Sequence, residues 1–271
     1  MFKAIGDMPM QNVKAQDILM LLRKVESRGV LDVARRVKQR IVAIFRYAIC
    51  IGRVEHNPAD ALQGVLKTRK VVHRATLAAE LIPDFLEKLD RYKGHELTKL
   101  GLKLIILTFV RPGELRSAEW SEFNFDKAEW RIPAERMKMK EEHIVPLSHQ
   151  AIEVIQQISK LTRKYKLMFP GTQNVKRPMS ENTLTYAIRK RLGFDATAHG
   201  FRATASTVLN EANFRCDVIE KQLAHSVRNK SRAPYNRSLY LDDRKDMMQW
   251  WADYLDKQQQ GNVLRRSLSM K

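Results

Sequence analysis

The sequence predicts an α+β fold, mainly α, with an N-terminal helical bundle followed by a mixed domain that carries a small antiparallel sheet. Three observations predict it. Apolar residues recur at helical spacing through most of the 271 residues. Two short β-like runs, Glu129–Pro133 and His143–Pro146, flank one charged hairpin. A basic stretch without amphipathic order, Gln63 to Thr76, parts the helices before it from the rest. The expected boundaries are residues 1–70 for the helical domain, 71–76 for the linker, 77–258 for the mixed domain and 259–271 for a disordered tail.

Taken in order, the first helix contains Asp17 to Val25 and ends near Gly29. The next, LDVARRVKQRIVAIFRYAICIGRV, sets Leu31, Val33, Ala34, Val37, Ile41, Ile44, Phe45 and Ala48 on one stripe, and Asn57-Pro58 stops it. Leu100 to Val110 is apolar enough to require burial, and it ends in Arg111-Pro112-Gly113-Glu114-Leu115. Pro112 can open a new helix at its first position, and an arginine after a buried segment needs a partner. The loop ERMKMKEE, with Lys138 and Lys140, joins the two strands. Gln150 to Tyr165 reads as a helix and Phe169-Pro170-Gly171 as a turn. Ser180 is placed to cap ENTLTYAIRKRLG, with Gly193 at its end. Helices at Gly200–Asn210 and Cys216–Leu223, a basic loop, and an amphipathic helix at Asp242–Asp256 complete the chain, with Trp250 and Trp251 as packing residues.

Lysine and arginine number 49 against 30 aspartate and glutamate, a formal charge of +19. So large an excess in a globular chain favours a polyanion, most plausibly nucleic acid. On the second helix Arg35, Arg36, Lys38 and Arg40 crowd the surface left by the apolar stripe and are the candidate DNA contacts. Cys50 and Cys216 have no metal-ligand spacing and are expected to be buried thiols in a reducing compartment. His73 reads as a solvent-exposed linker residue. No run of about 18 apolar residues predicts a membrane span, and the N-terminus has no signal-peptide pattern. The expected location is the cytoplasm, at the nucleoid.

The chemistry concentrates between Ala198 and Arg237, which hold a His-x-x-Arg pair (His199, Arg202), then His225 and Tyr235. Arginine binds phosphate oxygens bidentately, histidine moves a proton near neutral pH, and tyrosine offers a hydroxyl nucleophile. At i, i+3 on one helix, His199 and Arg202 share a face. The chain has no acidic metal cluster, phosphate-cradling glycine loop or recognisable Ser/His/Asp order, and without the metal cluster an ordinary hydrolytic nuclease is disfavoured. A phosphodiester suits the set.

TFVRPGELRSAEW (108–120), WRIPAERMKMKEEHIVPLS (130–148), HGFRATAS (199–206), QLAH (222–225), YNR (235–237) and MMQWWADYLD (247–256) occur in this order. Together they resemble the tyrosine recombinase (phage integrase) family, in its prophage P4-type branch. ARRVKQR…FRYAI…GRVEHNPA is similar to that family's helical core-binding domain. The resemblance implies a site-specific DNA recombinase that cuts and rejoins duplex DNA through a covalent 3′-phosphotyrosine, integrating or excising a prophage or genomic island. It implies that Arg111 and Arg202 clamp the scissile phosphate. Lys138 would protonate the leaving 5′ oxygen, with Lys140 its nearest competitor, because its distance to Val145-Pro146-Leu147 matches the family's spacing. His199 would be the acid/base, His225 would hydrogen-bond the phosphate, Tyr235 would attack, and Glu114 would orient the site. No metal or other cofactor is implied. The implied partners are double-stranded DNA at an attachment-site core, further copies in a tetramer on DNA, and an excision factor or host DNA-bending protein. The two domains are expected to close as a clamp around the duplex.

Two features depart from the family pattern. Its members carry a further N-terminal arm-binding domain, which the sequence is expected to lack. Pro234 precedes Tyr235 where a small residue is expected, and it restricts the backbone around the nucleophile. Tyr240 is a fallback nucleophile at the wrong spacing from His225. The competing expectation is a catalytically impaired DNA-binding remnant of a defective prophage.

Overall fold

The structure is a computed structural model that describes residues 5–67, 75–137, 140–225 and 240–269, with side chains of the last helix through Gly261. Two compact units result, Met1–His73 and Arg74–Lys271.

The first unit is built on α1 (Ala15–Glu26) and α2 (Leu31–Cys50). Ile18, Leu21 and Leu22 of α1 meet Ile41 and Phe45 of α2, with Val13, Ala59 and Leu62 closing the core. Asn57 makes the turn that follows: its side-chain oxygen accepts from Ala59 N at 3.0 Å and its amide donates to Asp60 at 2.8 Å. The buried seam of α2 is narrower than its sequence stripe. Ala34, Ile41, Phe45 and Ala48 are buried, whereas Val33 and Ile44 are 48% and 47% exposed. One partner helix covers only the central line of an apolar face. Cys50 is exposed at the last residue of α2, and Cys216 is exposed at the first residue of its own helix. Both correct the expectation of buried thiols, because a helix end lifts a side chain out of the packed stripe.

The second unit begins with α3 (Ile82–Asp90), which has Pro83 in its first turn, and α4 (Glu96–Thr108). Ten of the 13 residues of α4 are buried, as its composition demands. It ends at Phe109 in the left-handed conformation (φ 38°). α5 (Pro112–Arg116) follows at once, with proline at the first position. The sheet is β1 (Phe123–Asn124), β2 (Glu129–Ile132) and β3 (His143–Pro146), antiparallel in that order, with Trp130 opposite both Phe123 and Val145. Next come α6 (His149–Thr162) and α7 (Thr183–Tyr186), which widens into a π-type turn over Ala187–Arg191 before Gly193 at φ 80°. Asn182, not Ser180, precedes α7, and the Ser180 carbonyl accepts from Thr183 N at 3.1 Å.

α8 (Gly200–Glu211) and α9 (Cys216–Gln222) stand where the sequence placed them. α10 (Leu241–Ser269) runs through the stretch expected to be a disordered tail. Its first half is anchored: Trp251 is fully buried and donates its indole N–H to the Ile106 carbonyl at 2.8 Å. Past that anchor the glutamines Gln258, Gln259 and Gln260 are good helix formers, and adding a residue to an existing helix avoids the nucleation cost.

Candidate active site

The site is built where two helices end. α9 closes in a Schellman turn: His225 N donates to Glu220 O at 3.1 Å, Ala224 N donates to Lys221 O at 3.0 Å, and Ala224 takes the left-handed conformation at φ 47°. α4 closes at Phe109 in the same left-handed region. Helix C-termini leave carbonyls without partners and carry partial negative charge. Two arginines satisfy them.

Arg202, in the first turn of α8, is 5% exposed. Its Nη1 donates to the Phe109 carbonyl at 2.9 Å, and Nη2 donates to the Leu223 carbonyl. Nη2 also lies 3.3 Å from His225 Nε2. Arg111 precedes α5 and donates through Nη2 to the Ala224 carbonyl at 2.9 Å and through Nη1 to Glu114 at 2.7 Å. The other Glu114 oxygen accepts from Arg111 N at 2.8 Å, so one buried carboxylate fixes both the main chain and the side chain of this arginine. This is the partner that an arginine at the break required. The Arg202 guanidinium is pulled down to about 10, first by burial and then by the charge of Arg111, and it remains a cation at neutral pH.

The imidazole of His225 is half exposed and joins Glu220 through Nδ1 at 2.9 Å. A carboxylate only accepts, so Nδ1 carries the hydrogen and Nε2 is the nitrogen that faces Arg202. His199 stands at the N-terminal boundary of α8, and its carbonyl accepts from Arg202 N at 3.3 Å. The structure thus brings Arg111, Arg202 and His225 to one place, with His199 one turn from Arg202. Lys138 and Tyr235, like Pro234 and His73, lie outside the described residues. Lys140 is exposed at φ 53°. Tyr240 is half-buried against the second unit's core, with the Arg215 guanidinium 5.1 Å from its ring centre.

Sequence reasoning missed several polar residues that hold this place together. Arg136, just before the hairpin tip, bonds Glu122 and donates to the Glu114 carbonyl at 2.6 Å, while Glu122 also accepts from the Trp130 indole at 2.9 Å. The hairpin base is thereby tied to the helix that follows Arg111. His143, Gln222 and Arg244 form a second buried group behind α9. Only Glu114 had a local signal, its place three residues after Arg111.

In the first unit Arg35, Arg36 and Arg40 are exposed on α2. Lys38 is half-buried and donates to the Leu62 carbonyl at 2.6 Å, so it also holds the end of the bundle. Among the described residues no three His, Cys, Asp or Glu side chains are grouped to hold a metal ion, and no helix is long and apolar enough to cross a membrane.

Residues 76–241 match the phage integrase family and residues 1–65 match the phage integrase central domain. The integrase of Enterobacteria phage P4 is 44% identical over 273 residues, covering 94% of this chain and 62% of that protein. The chain therefore spans less than two thirds of that relative's length. Residues 75–356 of lambda integrase, solved as a dimer bound to a COC′ core site, superpose with a TM-score of 0.66 at 19% identity, over 87% of this chain and 83% of that one. A lambda integrase tetramer bound to a Holliday junction gives 0.65 at 18% identity, over 84% and 68%. At such identities the structural likeness is one of fold alone. With residues 76–241 and 1–65 both matched by its models, the chain belongs to the phage integrase family.

Proposed function

We propose that the protein is a site-specific DNA recombinase that cuts and rejoins duplex DNA through a covalent 3′-phosphotyrosine intermediate, integrating or excising a prophage or genomic island. The observation that carries this reading is the convergence of Arg111 and Arg202 on the carbonyls of Ala224 and Leu223, beside His225. In-line attack on a phosphodiester spreads negative charge over the phosphoryl oxygens and the leaving oxygen. Fixed guanidinium donors stabilise that charge without reorganising.

In this reading Arg111 and Arg202 clamp the scissile phosphate and His225 adds a hydrogen bond. Tyr235 attacks phosphorus through its phenolic oxygen while His199 handles its proton, and Lys138 protonates the departing 5′ oxygen. Tyrosine's ordinary pKa is about 10, so its hydroxyl needs a base or cationic surroundings to react at neutral pH. The phosphotyrosine ester retains the energy of the broken bond. A free 5′ hydroxyl from another strand can then displace the tyrosine without ATP. Residues 1–70 act as the core-binding domain, with Arg35, Arg36, Lys38 and Arg40 towards DNA, and residues 77–258 act as the catalytic domain. The partners are attachment-core duplex DNA, further copies in a tetramer, and an excision or DNA-bending factor. The place of action is the nucleoid.

The test is a nicked suicide duplex carrying a candidate attachment core, analysed on a denaturing gel without metal. Wild type is expected to give a shifted covalent band that Tyr235→Phe does not. Salt-sensitive binding of the same duplex with no covalent band would instead identify a DNA-binding remnant.

A further inference from the structure

Gln222 is 1% exposed, yet every polar group it owns is used. Its backbone carbonyl accepts from His143 Nε2 at 3.1 Å. Its side-chain oxygen accepts from Arg244 Nε at 3.0 Å and Nη2 at 2.6 Å. Its side-chain amide donates to the Thr108 carbonyl at 3.4 Å. One residue thus joins β3, α10, and the last residues of α4 and α9. Arg244 is itself 1% exposed and also donates to the Ile144 carbonyl, so the anchor on α10 is a buried cation.

The places this hub connects are the ones the arginines use. Thr108 immediately precedes Phe109, whose carbonyl accepts from Arg202. Gln222 immediately precedes Leu223 and Ala224, whose carbonyls accept from Arg202 and Arg111, and then His225. Burying an amide against a guanidinium is costly, and apolar residues of equal volume often hold a core at least as well. A fully satisfied polar network contributes direction, because each hydrogen bond fixes an angle as well as a distance.

We infer that Gln222, locked by Arg244 and His143, is a positioning residue that fixes main chain 223–225 against 108–111 and so aims Arg111 and Arg202. The meaning of that aim rests on the recombinase reading above; the geometry of the two guanidiniums does not.

The experiment uses the whole chain and compares wild type with Gln222→Met, the double variant Gln222→Met/Arg244→Met, and Gln222→Glu. The double variant removes hub and buried cation together, so Arg244 is not left facing the lost Gln222 oxygen. Three quantities are read: the melting temperature, the guanidinium ¹⁵N signals of Arg111 and Arg202, and the single-turnover rate of covalent adduct formation on saturating nicked duplex. In the folded double variant both arginine signals should lose the slow rotation of a fixed guanidinium. Adduct formation should fall about 10- to 100-fold while the Kd for duplex stays within about threefold. Gln222→Glu keeps an acceptor for Arg244 and the side-chain volume but sets a carboxylate oxygen against the Thr108 carbonyl, so its rate should fall with that of the double variant, which a packing role would not require. Unchanged arginine signals, or an unchanged rate at saturating DNA in the folded double variant, overturns the inference. If the methionine variants do not fold, an unchanged rate and unchanged arginine signals in folded Gln222→Glu do the same. Should wild type form no adduct, the recombinase reading fails, and the arginine signals still decide the positioning role.

Discussion

Arg111 and Arg202 meet at α9 through different local chemistry. Arg111 is half-buried and held by a carboxylate three residues away, whereas Arg202 is deep and held by main-chain oxygens. That Arg111 needs a partner was legible in RPGEL, where a proline opens a helix after a buried segment; the orienting role of Glu114 came from the family resemblance. The hub behind them was not legible. Gln222 is 79 residues from His143 and 114 from Thr108 in the chain, and no periodicity encodes such a meeting. His143 gives this scale a measurable consequence. Burial, followed by the charge of Arg244, lowers its imidazole from 6.5 to about 3, although the bond to the Gln222 carbonyl opposes the shift. The folded protein keeps it neutral where the unfolded chain takes up a proton. Stability is therefore expected to fall as pH drops from about 6.5 towards 3, by up to roughly 1.4 kcal/mol per pH unit from this residue. Urea denaturation of wild type and His143→Gln at pH 7 and pH 5 checks it. The variant should lose less stability between the two values, and equal losses would place the proton elsewhere.

The elements were legible where the apolar period was long. α4, α8 and α9 stand within a few residues of their expected places because buried stripes and capping turns mark them. β1 was missed because two residues carry no alternation. The end of α10 was misread because polar composition resembles disorder when the anchoring half of a helix is not considered. The start of α8 shows how tightly one element is set. Thr204 Oγ1 donates to the Leu77 carbonyl at 2.6 Å, Thr197 N donates to Ala75 O at 3.2 Å, and a methyl on Gly200 would stand 2.4 Å from Ala75 O. Gly200→Ala is expected to destabilise by about 2–3 kcal/mol, the upper range for overpacking, because backbone rather than a flexible side chain must move. Gly113→Ala is the control, since nothing lies within 4 Å of that added carbon. Equal stability of the two variants in urea would contradict the packing described.

At the scale of the whole molecule, the charge of +19 is the feature that composition alone disclosed. On the recombinase reading proposed above, binding to duplex DNA should be dominated by phosphate contacts and counterion release. With six to ten such contacts, affinity is expected to drop about 10³- to 10⁵-fold between 50 and 200 mM salt. Fluorescence anisotropy of a labelled duplex over that range measures the slope, and a salt-independent Kd would remove the electrostatic account. The two units, Met1–His73 and Arg74–Lys271, part within QGVLKTRKVVHRAT.

The placement of both guanidiniums on the ends of α4 and α9 bears on how genetic knockouts here are interpreted. Removing either arginine uncaps a helix as well as taking away half of the proposed phosphate clamp, so an inactive allele at 111 or 202 confounds lost chemistry with lost shape. A clean separation-of-function allele has to come from a position whose side chain closes no helix.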